Sequence, residues 1–190
     1  QQKKPDIKLE EVEKEDGLYL AYTDGSFEKK TNIGTYSVAI PKGKEAINGF
    51  FFNQMRIEGA ISSFEMEIRA ILDLLCAMPT EAPVRIVVDS LSAKDKIDRG
   101  RSNSNTERCK RILEQIKQNI LKRNNNYTKT EILWVYSHLL DTIERTDTPK
   151  KDIEEKRKTN EKKLEEMRKR YPETYQKYLE GNAEADRLAT

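Results

Sequence analysis

Residues 18–24, Leu18-Tyr19-Leu20-Ala21-Tyr22-Thr23-Asp24, form an almost unbroken apolar and aromatic run that ends in a carboxylate. A strand without polar alternation must be covered on both faces, so this one belongs at the centre of a sheet with elements packed on it. The next residues, Gly25-Ser26, read as a turn, which would make Asp24 the last residue of the strand and aim its oxygen into whatever lies beyond. An Asp-Gly pair alone is no more than a turn signal. Its meaning depends on what the rest of the chain brings beside it.

The chain in order supplies the partners. A second strand is expected over residues 35–40, stopped by Pro41, and a third over 49–55; short links between the three imply an antiparallel meander. Ser62 and Ser63 offer an N-cap for a helix whose apolar residues Phe64, Ile68, Ile71, Leu72 and Leu75 recur at helical spacing until Pro79. A buried-type strand at 84–89 ends in Asp89, and Ser90 opens a short helix. A longer amphipathic helix begins near Thr106 and stops at 124–126, and a fifth strand at 132–136 leads to Ser137-His138. Three strands, a helix, a strand, two helices and a strand predict an α/β fold. Its sheet is mixed and five-stranded, three antiparallel strands followed by two parallel ones, with helices flanking it.

Composition sets the limits of function. A chain of 190 residues with a net charge of +2 buries a real core, and its total charge argues against a strongly basic nucleic-acid binder. The charged fraction of 36% is high for a compact domain, so part of it must lie on solvated segments. Two such segments are visible: residues 1–16, read as a flexible charged leader, and residues 139–180, where both signs alternate densely over a thin apolar stripe of Ile153, Leu164, Met167 and Tyr171. The latter reads as a charged helical insertion that protrudes from a core made of residues 17–138 and 181–190. The final piece, 181–189, reads as a short capped helix. Cys76 and Cys109 fall within predicted amphipathic helices and are expected as buried free thiols, which places the chain in an intracellular, reducing compartment. No apolar run has the length of a membrane span.

Three acids stand out by position. Asp24 and Asp89 each close an apolar strand, and the carboxyl ends of strands in an open α/β sheet are where sites form. Glu67, counted at about 100° per residue, lies roughly 60° from the centre of its helix's apolar stripe, whereas Glu65 falls farther round, on the wetter side. Clustered carboxylates repel one another unless a cation neutralises them, and their oxygens suit hard ions such as Mg²⁺ or Mn²⁺.

Five motifs in this order resemble the type 1 ribonuclease H family, including the ribonuclease H domains attached to reverse transcriptases. They are Tyr22-Thr23-Asp24-Gly25-Ser26, Met66-Glu67-Ile68-Arg69-Ala70, Val88-Asp89-Ser90, Trp134-Val135-Tyr136-Ser137-His138, and Gly181-Asn182-Ala183-Glu184-Ala185-Asp186-Arg187-Leu188-Ala189. The resemblance implies a ribonuclease H-like fold and a two-metal-ion endonuclease, using Mg²⁺ with Mn²⁺ as the alternative. Such an enzyme hydrolyses the RNA strand of RNA/DNA hybrids to 3′-hydroxyl and 5′-phosphate ends. It implies Asp24, Glu67, Asp89 and Asp186 as catalytic metal ligands and His138 as a residue assisting proton transfer or product departure. Gly25, Ser26, Ser63, Ser90 and Asn182 would be the substrate contacts. A reverse transcriptase domain of the same polyprotein is the implied protein partner, and no membrane is involved.

Two features depart from that family. The loop between its histidine and its last aspartate is about four times the usual length here, which bears on where His138 and Asp186 end up. The segment 99–104 is short and only lightly basic, where some members carry a basic protrusion that grips DNA. The competing reading is a catalytically silent module of the same fold that binds nucleic acid or protein. Loss of carboxylates would mark such a module, and all four acids are present.

Overall fold

The computed structural model of the chain describes residues 7–43, 49–140 and 150–190. The strands are β1 (Lys14–Glu15), β2 (Leu18–Glu28), β3 (Ile33–Pro41), β4 (Phe50–Glu58), β5 (Val84–Val88) and β6 (Thr130–Trp134). The helices among the described residues are α1 (Ser63–Ala77), α2 (Leu91–Asp98), α3 (Glu107–Asn125), α4 (Lys150–Arg170) and α5 (Tyr175–Ala189), with one 3-10 turn at Leu9–Glu11. The sheet runs β4-β3-β2-β5-β6, and β1 pairs with β2 off that path. The β2–β3 and β3–β4 pairs are antiparallel, the β2–β5 and β5–β6 pairs parallel. The molecule is therefore α/β with a mixed open sheet, and β2 is central as its apolar run requires.

Both faces of the sheet are covered. On one, Ala21, Val38, Ile40, Ile86 and Val88 pack against Ile68, Ile71, Leu113 and Ile116 of α1 and α3. On the other, Leu20, Tyr22, Ala39 and Val87 meet Met167 of α4 and Tyr178, Leu179 and Ala185 of α5. Helix starts follow the cap chemistry: Ser62, Ser90 and Thr106 each accept from a backbone N–H one turn into α1, α2 and α3. Arg123, fully buried, closes the far end of α1 by donating to the carbonyls of Leu75, Met78 and Ala82.

Several expectations are corrected by packing. Gly25-Ser26 makes no turn: β2 continues through it to Glu28, with Asp24 opposite Ser37 and Gly25 opposite Tyr36. Glycine is needed there because α1 crosses β2 so closely that a Cβ at residue 25 would lie 2.5 Å from the Met66 carbonyl carbon and 2.6 Å from the Glu67 nitrogen. Gly181 opens no helix. It lies within α5, where a Cβ would collide with the Tyr22 ring. Residues 7–16 are not a solvated leader; Val12 is buried in the core, Lys14 pairs with Tyr19, and Glu13 binds Lys177 at 2.7 Å. Residues 1–6, the rest of that reading, lie outside the described residues.

The stretch 139–180 is helical over α4 and the start of α5, but it does not merely protrude. Met167, Tyr178 and Leu179 are buried in the second core, and Tyr171 packs against it; residues 141–149 lie outside the described residues. Cys109 is buried as expected, Cys76 is exposed, and both are free thiols. No helix among the described residues is long and apolar enough to cross a membrane.

Candidate metal centre

Asp24, Glu67 and Asp89 each place a carboxylate oxygen within 4.8 Å of the other two. They come from three elements. Strand alternation puts Asp24 on the same face of β2 as Leu20 and Tyr22, the α5 face, and Asp89 follows β5 on the side of Val87. Glu67 comes from α1 on the opposite face and reaches the site at Gly25, where the missing side chain leaves room; its Oε1 accepts from the Gly25 N–H at 3.2 Å. Asp24 is 2% exposed and Glu67 7%.

The site is costly to hold without a cation. Burial, first, and then the charges of Glu67 and Asp89 push the Asp24 carboxyl far above the usual carboxylate range. Burial and the Asp89 charge push Glu67 up as well. Asp89 is raised chiefly by burial, opposed by hydrogen bonds from Asn182 and Asp24. The Glu67 Oε2 atom is buried without a hydrogen-bond partner, an uncommon state for a carboxylate oxygen unless it has a ligand to bind. Six-coordinate Mg²⁺ at about 2.1 Å sets neighbouring ligands about 3 Å apart and opposite ones about 4.2 Å apart. The all-oxygen donor set and its spacing fit a hard divalent cation, which the triad could hold.

The other expected residues divide. Asp186, on α5, stands beside the triad: its carboxyl group helps to raise Asp24, and its charge raises Asp89. His138 Nδ1 lies 3.5 Å from Asp186 Oδ2, and the backbone at His138 is in the left-handed region at φ 60°. The long insertion therefore leaves the two side chains adjacent. Asn182 sits one turn before Asp186 and is only 2% exposed; its visible partner is Asp89, and its Oδ1 is buried without a partner. The Ser26 hydroxyl donates to the Ala189 carbonyl at the end of α5. Ser90 caps α2. Ser63 is exposed at the start of α1, and Gly25 is half-buried.

Sequence reasoning misplaced Glu65, and it placed Trp134 in a motif without giving its side chain a role. Glu65 is fully buried, its Oε2 bound to Arg69 and to Arg108 at 2.7 Å, its Oε1 accepting from Ile61 N–H. Its burial comes from α3, which the wheel of α1 alone does not contain. The Trp134 indole donates to the Asp89 carbonyl at 3.2 Å, fixing the backbone that carries an acid of the triad. No local pattern announces that bond. A scan against models of protein families matches nothing in the chain, and a search of curated proteins returns no relative.

Proposed function

We propose that this protein has a ribonuclease H-like fold and is a divalent-metal-dependent endonuclease that hydrolyses the RNA strand of RNA/DNA hybrids. The observation that carries the reading is the convergence of Asp24, Glu67 and Asp89 within 4.8 Å. Asp186 and His138 join them at the rim, and all five belong to motifs that resemble that family. The strand order β4-β3-β2-β5-β6, with three antiparallel strands and two parallel ones, suits the same fold.

Bound Mg²⁺ or Mn²⁺, as the ion pair the resemblance implies, would polarise the scissile phosphate and lower the pKa of an attacking water. Asp24, Glu67, Asp89 and Asp186 are the side chains that would hold it. Asn182 and Trp134 keep Asp89 in place through its side chain and its backbone. His138, next to Asp186, serves proton transfer or product departure. Hybrids are read through the minor groove, where 2′-hydroxyls mark the RNA strand; the exposed Ser63 hydroxyl and the backbone at Gly25 are suited to that contact. A reverse transcriptase domain of the same polyprotein is the partner this reading carries with it.

The test is incubation with labelled RNA/DNA hybrid, RNA duplex and DNA duplex, with Mg²⁺ and with chelator. The expected result is cleavage of the hybrid's RNA strand alone, leaving 3′-hydroxyl and 5′-phosphate ends and stopping with chelator. Cleavage indifferent to chelator, or none of the hybrid, would overturn the reading.

A further inference from the structure

Tyr171 is the joint between α4 and α5. Its N–H donates to the Met167 carbonyl in the last turn of α4 at 2.8 Å, and its own carbonyl accepts from the Thr174 and Tyr175 N–H groups where α5 begins. Its half-buried ring meets Tyr178 edge-on at 5.2 Å, and its hydroxyl donates to the Trp134 carbonyl at 2.7 Å. Strand β6 is last in the sheet order, and the Tyr171 hydroxyl binds it from outside the ladder. The Trp134 ring is gripped as well: the Arg170 guanidinium lies over it at 5.4 Å, and Tyr136 meets it edge-on at 4.5 Å.

Trp134 in turn holds the metal centre. The paired ladder of β5 and β6 ends at Val88 opposite Trp134, where the Val135 N–H donates to the Val88 carbonyl at 2.9 Å. The next carbonyl, that of Asp89, is bound by a side chain instead, the Trp134 indole at 3.2 Å. The residue after it, Ser90, already caps α2. Holding that carbonyl fixes the plane of the peptide that follows Asp89, and so the backbone from which its carboxylate reaches Asp24 and Glu67. A chain of contacts thus runs from the end of the charged stretch 139–180, through one side chain, to an acid of the triad. A bond that only fastened the insertion would need no particular residue of β6. This one takes the carbonyl of the residue whose indole holds Asp89.

We propose that Tyr171 is a positioning residue of the metal centre, acting through Trp134 on Asp89, so that the exit of the 139–180 stretch sets the affinity for the divalent cation. This rests on the metal-binding part of the nuclease reading. Removing an outer partner of a metal ligand typically costs about 10–100-fold in affinity, and Tyr171 stands one step farther out. The experiment is Mn²⁺ titration of the full chain without substrate, with free Mn²⁺ read by electron paramagnetic resonance. The site at the triad is identified as the one lost in Asp24→Asn. Wild type is compared with Trp134→Phe, Tyr171→Phe, the two combined, and Tyr178→Phe, and each is also melted in chelator. Tyr178→Phe is the control: it removes a neighbouring tyrosine hydroxyl that bonds Glu15 at 2.5 Å rather than Trp134.

Trp134→Phe should bind about tenfold more weakly and Tyr171→Phe about threefold, while Tyr178→Phe stays within about 1.5-fold of wild type even where it melts lower. In the Trp134→Phe background, Tyr171→Phe should weaken binding no further, because the link it acts through has gone. Unchanged affinity in Tyr171→Phe, a matching loss in Tyr178→Phe, or a full further loss in the double variant would overturn the assignment. Tyr171→Phe and Tyr178→Phe decide it by themselves if Trp134→Phe does not fold. Cleavage of hybrid by the wild type in Mn²⁺ is scored separately. A chain that binds the cation at the triad yet leaves hybrid uncut overturns the nuclease reading, while the titration still decides for or against Tyr171; a chain that binds no cation there overturns both.

Discussion

Asp24 is 2% exposed and faces two further carboxylates, so in the absence of a cation its charge is held at a cost. Replacing it with asparagine keeps the shape and removes the charge. Asp24→Asn is expected to lower hybrid cleavage by more than about a hundredfold, some 3 kcal/mol of barrier. At pH 8 in chelator it should melt above the wild type, because a buried repulsion has gone. Cleavage assays and thermal melts of one preparation check both. Near-wild-type cleavage would mean that Asp24 is not a ligand that matters. A melt unchanged or lower would mean that the buried charge is not what strains the site.

Among the elements, the crossing of α1 over β2 decides whether the site exists. Gly25 lets the helix backbone approach, and the same approach brings Glu67 across to Asp24. Gly25→Ala puts a Cβ 2.5 Å from the Met66 carbonyl carbon, a backbone atom that cannot rotate away, so α1 must lift. The expected cost is about 1–3 kcal/mol in urea denaturation, the range of overpacked cores. The displaced Glu67 should also weaken Mg²⁺-induced stabilisation. A variant with both properties intact would show that the crossing has slack. The same kind of contact, Gly181 against the Tyr22 ring, seats α5 and with it Asn182 and Asp186.

At the scale of the whole molecule, the centre links stability to pH and metal. Asp24, Glu67 and Asp89 all have folded pKa values above their ordinary ones. Above about pH 4 the folded metal-free chain therefore binds more protons than the unfolded chain, and its stability falls as pH rises through that window toward the folded values. A divalent cation replaces those protons and reverses the trend. In chelator the melting temperature should be lower at pH 8 than at pH 5.5, and added Mg²⁺ should raise it more at pH 8. Differential scanning fluorimetry at the two pH values reads this directly; a Mg²⁺ shift larger at pH 5.5 would count against metal binding by the triad.

The order of strands and helices, the centrality of residues 18–24 and the candidacy of Asp24, Glu67, Asp89, Asp186 and His138 were all legible in the chain. The elements and the first three acids rest on local quantities: apolar period, cap residues, and carboxylates placed beside or at the ends of buried runs; Asp186 and His138 are candidates only through the resemblance of their motifs. Tertiary structure decided what those quantities cannot encode. Gly25 reads as a turn until α1 is laid across it, and Glu65 reads as wet until α3 brings Arg108 to it. Residues 7–16 read as solvated by charge alone, yet Val12 is buried and the acids of that stretch pair with Arg85 and Lys177. The insertion reads as protruding until Met167 and Tyr171 find the second face of the sheet. A residue's burial and partners are set by chain segments distant in sequence, and only the folded arrangement brings those segments together.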